Sequence, residues 1–314
     1  MPENLEDEII GILKQELEQP FTAVRTGIGD DAAVIAPQPV PLVICQDTLV
    51  KGIHFPDDTT AKAIGHKALA VNLSDLAAMG AEPAWYLLSL SLPEFDRAWV
   101  KQFAQGMNII ATRYNIPLIG GDTVKGPLSI TITAAGHQSD PRLRSQAKLG
   151  DIIAVTGTLG DAAAGLQLKT RGAPQVHLQT RLDYPEPRVH FGMAVASKAH
   201  AMIDLSDGLY RDLERMMKAS GFAAKVNVHD LPRSSQLNHY FEEDAILPLQ
   251  LQGGDDYELC LSFHHSDLDF MMKQAKRLGL QLTIIGDVIP GDGINLYNNG
   301  HLYILSKGGY EHFS

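Results

Sequence analysis

At 314 residues the chain is long for a single hydrophobic core, and its length alone implies about two domains. With 26 Lys and Arg against 37 Asp and Glu, the formal charge is −11, which argues against non-specific nucleic-acid binding, since that needs basic surface to displace counterions. No apolar run reaches the roughly 18 residues needed to span a bilayer. The two cysteines, Cys45 and Cys260, form no C-x-x-C pair that would suggest zinc or a disulfide framework. The acidic start lacks the basic and apolar regions of a signal peptide, so a cytoplasmic location with no membrane partner is expected.

In chain order, apolar residues at Leu5, Ile9, Ile12, Leu13 and Leu17 predict a helix over 3–18, closed by Pro20. Gly27 to Asp31 reads as a turn, followed by short apolar runs at 32–36 and 42–45, the second leading into Asp47. Residues 60–79 predict a helix rich in small and apolar residues on most of its surface, hence buried on more than one side. A strand over 85–92, a helix over 94–113 and a strand over 116–119 follow, the last ending in Gly120-Gly121-Asp122. Residues 128–134 alternate with a period of two, so this strand has one polar face carrying Ser129, Thr131 and Thr133.

The polar, irregular stretch 137–150 marks a domain boundary, which places the domains at 1–138 and 139–314. The second half restarts with a strand at 152–156, the turn Gly157–Gly160 and a helix from Asp161. Residues 172–187, polar and holding three prolines, read as a loop before a helix from Arg188. Further strands are predicted at 201–204, 224–228, 258–263 and 282–285 with helices between, an α/β or α+β pattern.

Aspartates recur at the ends of short apolar strands or in glycine turns: Asp30 and Asp31, Asp47, Asp75, Asp122, Asp204, Asp207, and Asp255 with Asp256. Any one of them has an ordinary explanation as a turn former or helix cap. Together they need partners, because burying unpaired charge is costly, and few nearby Lys or Arg supply them. Oxygen ligands with no accompanying Cys or His set point to Mg²⁺, which joins carboxylates to substrate phosphates in phosphoryl transfer. Neither a Walker-type phosphate loop nor the protein-kinase motifs are present.

Six stretches carry a family resemblance: Gly27–Val34, Asp47–Val50 with Gly52–Phe55, Val71–Ala81, Gly120–Thr123, Ile203–Leu209 and Gly253–Leu259. In order and spacing they resemble the thiamine-monophosphate kinase family, of the superfamily that includes aminoimidazole ribonucleotide synthetase and selenophosphate synthetase. The resemblance covers nearly the whole chain. It implies two mixed α/β domains of PurM-like fold, the N-terminal one forming a homodimer across its sheet. It also implies direct transfer of phosphate from ATP to thiamine monophosphate, with several Mg²⁺ ions and no covalent nucleophile.

By the same resemblance, Asp30, Asp47, Asp75, Asp122, Asp204 and Asp207 are expected to hold metal. Gly121, Asp122, Arg144 and Ser206 would contact ATP. His54, Asp255 and a C-terminal aromatic, Tyr310 or else Phe313, would contact the thiamine phosphate. Cys45 and Gln46 stand where the family has two hydroxyl residues that help hold metal; Gln46 can offer a carbonyl oxygen, whereas a thiol suits Mg²⁺ poorly. Asp255 stands in place of the usual glutamate. The rival expectations are a superfamily enzyme acting on another small molecule, or a non-catalytic nucleotide-binding relative.

Overall fold

The computed structural model describes residues 5–17, 23–28 and 32–305. Their contacts divide the chain into two compact units, one formed by residues up to Leu76 with Ala81–Ser139, the other by Ala77–Gly80 with the chain from Asp140 onward. Among the described residues, no helix is long and apolar enough to cross a membrane.

The first unit comprises α1 (Leu5–Leu17), β1 (Val24–Thr26), β2 (Val34–Ile35), β3 (Leu42–Val50), α2 (Ala61–Ala78), β4 (Glu82–Leu92), α3 (Arg97–Tyr114), β5 (Leu118–Lys125) and β6 (Ser129–His137). Its four-stranded sheet runs β3-β6-β4-β5, with β4 and β5 parallel and the other pairs antiparallel. Almost every residue of α2 is buried, polar His66, Lys67, Asn72 and Ser74 included, as expected of a helix with no polar stripe. It crosses α3 with main chains nearly touching. A Cβ on Gly65 would lie 2.0 Å from Phe103 O, and one on Gly106 would lie 1.9 Å from Lys62 O. Asp96 caps α3, its Oδ1 accepting from the N–H groups of Ala98 and Trp99.

Side chains of β3 alternate between the two faces of this sheet. Cys45, Asp47 and Leu49 point one way; Ile44, Gln46 and Thr48 point the other, where they are exposed. On the open face Thr48 and Thr131 share a hydrogen bond of 2.8 Å, and Ile44 is 57% exposed.

The second unit comprises β7 (Ile152–Thr156), α4 (Asp161–Thr170), α5 (Val176–Asp183), α6 (Val189–Val195), β8 (Ala199–Asp204), α7 (Leu209–Ser220), β9 (Ala223–Asn227), α8 (Ser235–Tyr240), α9 (Glu243–Gln252), β10 (Leu259–Phe263), α10 (Leu268–Arg277), β11 (Leu282–Ile289), β12 (Gly293–Asn298) and β13 (His301–Tyr303). The seven-stranded sheet runs β13-β12-β9-β11-β7-β10-β8, and only β12 with β9 is a parallel pair. Leu209, Leu213, Met216 and Met217 of α7 bury against Val155, Ile203, Val226 and Ile285 of the sheet. A satellite core joins α4, α5, α8 and α9 through Ala164, Leu168, Leu178, Leu237 and Ile246.

Two expectations differ from this fold. The stretch 172–187 is not one loop: it contains α5, whose Leu178 and Leu182 are buried although the surrounding sequence is polar. Strand β5 does not end at Gly120-Gly121-Asp122 but continues to Lys125, because β4 offers paired backbone as far as Leu92.

Candidate active site

In the first unit the chemistry gathers between β3 and α2. Asp47 on the inner face of β3 shares a side-chain hydrogen bond with Asp75 on α2, and burial pushes the Asp47 carboxyl above the usual carboxylate range. Two carboxyl groups this close either share a proton or stay charged with a cation between them. One turn before Asp75, Asn72 receives the Cys45 thiol: Sγ lies 3.3 Å from its carbonyl oxygen and 3.8 Å from Oδ1. Gln46 turns to the opposite face, where its Oε1 accepts from Thr133 Oγ1 at 2.8 Å. The side chain of Gln46 is therefore separated from Asp47 by the sheet, as the two-residue period requires.

The sheet also separates Asp122 from Asp47. Across the strands Asp47 shares its row with Ile132, Leu88 and Gly121, whereas Asp122 shares the next row with Ser89, Thr131 and Thr48. Asp122 thus stands on the open face, and β5 is three strands from β3, about 14 Å at the usual strand spacing. At the neighbouring position, a Cβ on Gly121 would lie 1.8 Å from Leu88 O, so only glycine lets the two strands approach so closely.

His54 is built into its loop more firmly than an isolated surface histidine. Its Nδ1 accepts from Val50 N at 3.0 Å, which assigns the ring proton to Nε2, and buried Lys67 donates to its carbonyl oxygen at 3.2 Å.

In the second unit Asp204, Ser206, Asp207 and Asp255 come together at one end of the sheet. Asp204 is the last residue of β8 and pairs in register with Leu259. The turn after it is tied to the glycine turn before β10: Asp255 N donates to Ser206 O and Tyr257 N to Leu205 O, each at 2.9 Å. Asp207 sits at the start of α7, its Oδ2 2.6 Å from Arg215 Nη1, and its own N–H donates to Asp212 Oδ2 at 2.9 Å. Asp212 is fully buried; burial, and then the charge of Asp204, push its carboxyl up to about 7. The sequence reading missed Asp212. Its signal was a carboxylate in the first turn of a helix, ordinarily just a favourable helix-dipole position.

Behind this group lies a second buried cluster that the sequence did not reveal. Glu258 accepts from Arg188 Nε at 2.6 Å and Nη2 at 2.5 Å, from Arg181 Nη2 at 2.7 Å and from Thr156 Oγ1 at 2.7 Å. Against the upward pull of burial, the two guanidinium groups hold its carboxyl below the usual range. Asp256 accepts from Gly160 N at 2.9 and 3.1 Å, and burial drives its carboxyl well up. Asp161 accepts from Thr158 and Ser234, so the turn before α4 is closed by side chains instead of presenting a vacant helix terminus.

Arg144 is not part of the Ser206 group. It is exposed, and its carbonyl accepts from Ser220 at the far end of α7, about 18 Å of helix from Asp207. Asp30, Tyr310 and Phe313 lie outside the described residues. Among the described residues, no three His, Cys, Asp or Glu side chains converge as a metal-binding group. Asp47 with Asp75 in the first unit, and Asp204 beside Asp207 and Asp212 in the second, supply oxygen donors of the kind that suit a hard divalent cation, with Arg215 Nη1 already pairing Asp212 Oδ1 at 2.8 Å.

Comparison with known proteins identifies the family. Residues 29–137 match the model of the AIR synthase related protein N-terminal domain, and residues 148–298 match that of its C-terminal domain. The thiamine-monophosphate kinase of Salmonella typhimurium is 42% identical over 93% of this chain and 93% of its own. A crystal structure of thiamine-monophosphate kinase from Stenotrophomonas maltophilia superposes with a TM-score of 0.87 at 41% identity, covering 96% of this chain and 98% of that one. The structure of AaThiL complexed with AMPPCP and TMP superposes with a TM-score of 0.78 at 30% identity, covering 98% and 97% of the two chains. With its two PurM-like α/β units and this degree of identity over nearly its full length, the chain belongs to the thiamine-monophosphate kinase family of enzymes.

Proposed function

We propose that this chain phosphorylates thiamine monophosphate, using ATP and Mg²⁺, to give thiamine diphosphate and ADP by direct in-line transfer. The observation that carries the reading is its likeness, over nearly the full length of both chains, to a protein solved with an ATP analogue and TMP together. The half-buried, hydrogen-bonded pair Asp47–Asp75 supports the metal requirement.

Asp47 and Asp75 in the first unit, and Asp204 and Asp207 in the second, are the residues proposed to hold Mg²⁺, with Asp30 and Asp122 as further ligands. The ions, when bound, would screen the repulsion between two polyanionic substrates and stabilise charge on the transferring phosphoryl group. Cys45 contributes at most a soft donor beside Asp47. Gln46 would need to act through its backbone, since its side chain is committed to Thr133. Gly121, Ser206 and Arg144 are proposed to contact ATP, Arg144 by extending its guanidinium fork from an exposed segment. His54, Asp255 and Tyr310 are proposed for the thiamine phosphate, the Asp255 carboxylate suiting a cationic thiazolium ring. The acceptor oxygen is already anionic at neutral pH, so these residues need supply no strong base; they position the reactants in line.

The open face of the first sheet, with exposed Ile44 and the hydrogen-bonded Thr48 and Thr131, is the proposed homodimer surface, and Asp122 lies on it. The decisive assay is incubation with ATP, Mg²⁺ and thiamine monophosphate, followed by chromatography for thiamine diphosphate. Stoichiometric diphosphate and ADP are expected. Absence of product at saturating Mg²⁺ refutes the reading, and binding of ATP without thiamine monophosphate would transfer the chain to the other small-molecule enzymes of the superfamily.

A further inference from the structure

The turn that carries Asp255 holds two non-glycine residues in the left-handed region, Asp255 at φ 71° and Tyr257 at φ 48°. Such conformations are uncommon outside glycine and persist where the surroundings over-determine them. Gly253 and Gly254 immediately precede them, so an ordinary tight turn could have been completed without strain at 255 and 257.

What fixes the two strained residues is visible on either side of each. Asp256, between them, is buried and grips Gly160 N through both carboxylate oxygens. Glu258, just after, is fully buried and held by Arg188, Arg181 and Thr156. The backbone N–H groups of Asp255 and Tyr257 are pinned to Ser206 and Leu205. Of the three acidic residues, Asp255 alone is partly accessible, and the Tyr257 hydroxyl donates to its Oδ1 at 3.1 Å.

We propose that Asp256, Tyr257 and Glu258 are positioning residues for substrate recognition: they lock the turn in its left-handed form and aim the Asp255 carboxylate at the cationic ring of the substrate. This rests on the proposed thiamine monophosphate kinase activity and on Asp255 as its substrate contact. The division of labour is one of burial: the two inward carboxylates are held by backbone and guanidinium donors in the interior, whereas Asp255 is partly accessible at the surface of the turn. Tyr257 fixes the rotation of that carboxylate, because a hydroxyl bound to one oxygen leaves the other directed away from it.

The test uses the full-length protein with Mg²⁺. Tyr257→Phe deletes one hydroxyl and leaves the Glu258 cluster untouched. It is expected to raise KM for thiamine monophosphate by about three- to tenfold, the effect of one lost hydrogen bond, with KM for ATP and kcat changed less than twofold. Glu258→Gln is expected to show the same substrate-selective rise; if it does not fold, Tyr257→Phe alone decides. Combined with Asp255→Asn, the Tyr257→Phe change is expected to add nothing further, since it acts through that carboxylate. Unchanged KM for thiamine monophosphate, an equal change for both substrates, or additivity with Asp255→Asn would each overturn the proposal. A wild-type protein that makes no thiamine diphosphate would instead overturn the activity on which it rests.

Discussion

Gly157 connects backbone conformation to the buried Glu258 cluster, and replacing it with alanine should unsettle both. Its φ is +60°, and a Cβ there would lie 2.1 Å from Glu258 Oε1 and 2.3 Å from Cδ. Left-handed geometry costs alanine about 1–2 kcal/mol. The clash cannot be relieved by the far end of a free side chain, because the Glu258 carboxylate is fixed by Arg188, Arg181 and Thr156. Moving it parts the fully buried Glu258 carboxylate from its guanidinium partners, a loss of about 3–5 kcal/mol. The two effects sum to about 4–7 kcal/mol. At roughly 2–4 °C per kcal/mol for a unit of this size, Tm should fall by about 8–28 °C. Gly172→Ala provides the internal control, since Gly172 has φ +73° but nothing within 4 Å of its Cβ position. It should lose only the conformational part, about 1–2 kcal/mol. Thermal denaturation followed by circular dichroism measures both variants. Equal shifts for Gly157→Ala and Gly172→Ala would refute the claim that Glu258 is immovable.

Asp47→Asn should abolish thiamine diphosphate formation while metal-free Tm stays level or rises, because the burial that pushes the Asp47 carboxyl up penalises its charge; normal turnover would remove Asp47 from the metal set. Asp256 has its carboxyl raised well above 3.8 by burial, so the folded chain binds this proton more tightly than the unfolded one. Its contribution to stability is therefore greatest at low pH and declines as pH climbs from about 4. Asp256→Asn keeps an acceptor for Gly160 N and should flatten the fall of Tm with pH; an unaltered pH profile would contradict this. If the proposed dimer forms across the open sheet face, Ile44→Arg should convert it into a monomer by light scattering, and an unchanged mass would exclude that face as the interface.

Much of the fold could be read from local pattern. Helix α2 was legible because its apolar residues go all the way round, and β6 because Ser129, Thr131 and Thr133 alternate with Ile130 and Ile132. Helix α5 was not, since only Leu178 and Leu182 are buried among polar neighbours, and Leu178 joins a core built by three other helices. The candidate site divided along similar lines. Asp204, Ser206, Asp207 and Asp255 lie in turns that the structure ties together, and glycine beside aspartate marks such turns in sequence. The opposite facing of Asp47 and Asp122 depends on strand order and register, which no local window contains. The grip of Arg181 and Arg188 on Glu258 spans separations of 77 and 70 residues.

The crossing of α2 and α3 bears on the proposed metal site as well as on packing. Gly65 and Gly106 bring the two main chains together at one end of α2, and Asp75 lies ten residues further along, about 15 Å by helical rise. The contact acts as a fulcrum and the rest of α2 as the arm of a lever. An added methyl at Gly65 must push the helix away from Phe103 by more than an ångström, and the resulting tilt would be delivered at Asp75. A Gly65 substitution would then register first as weakened Mg²⁺ binding at the proposed Asp47–Asp75 site, before any loss of the fold.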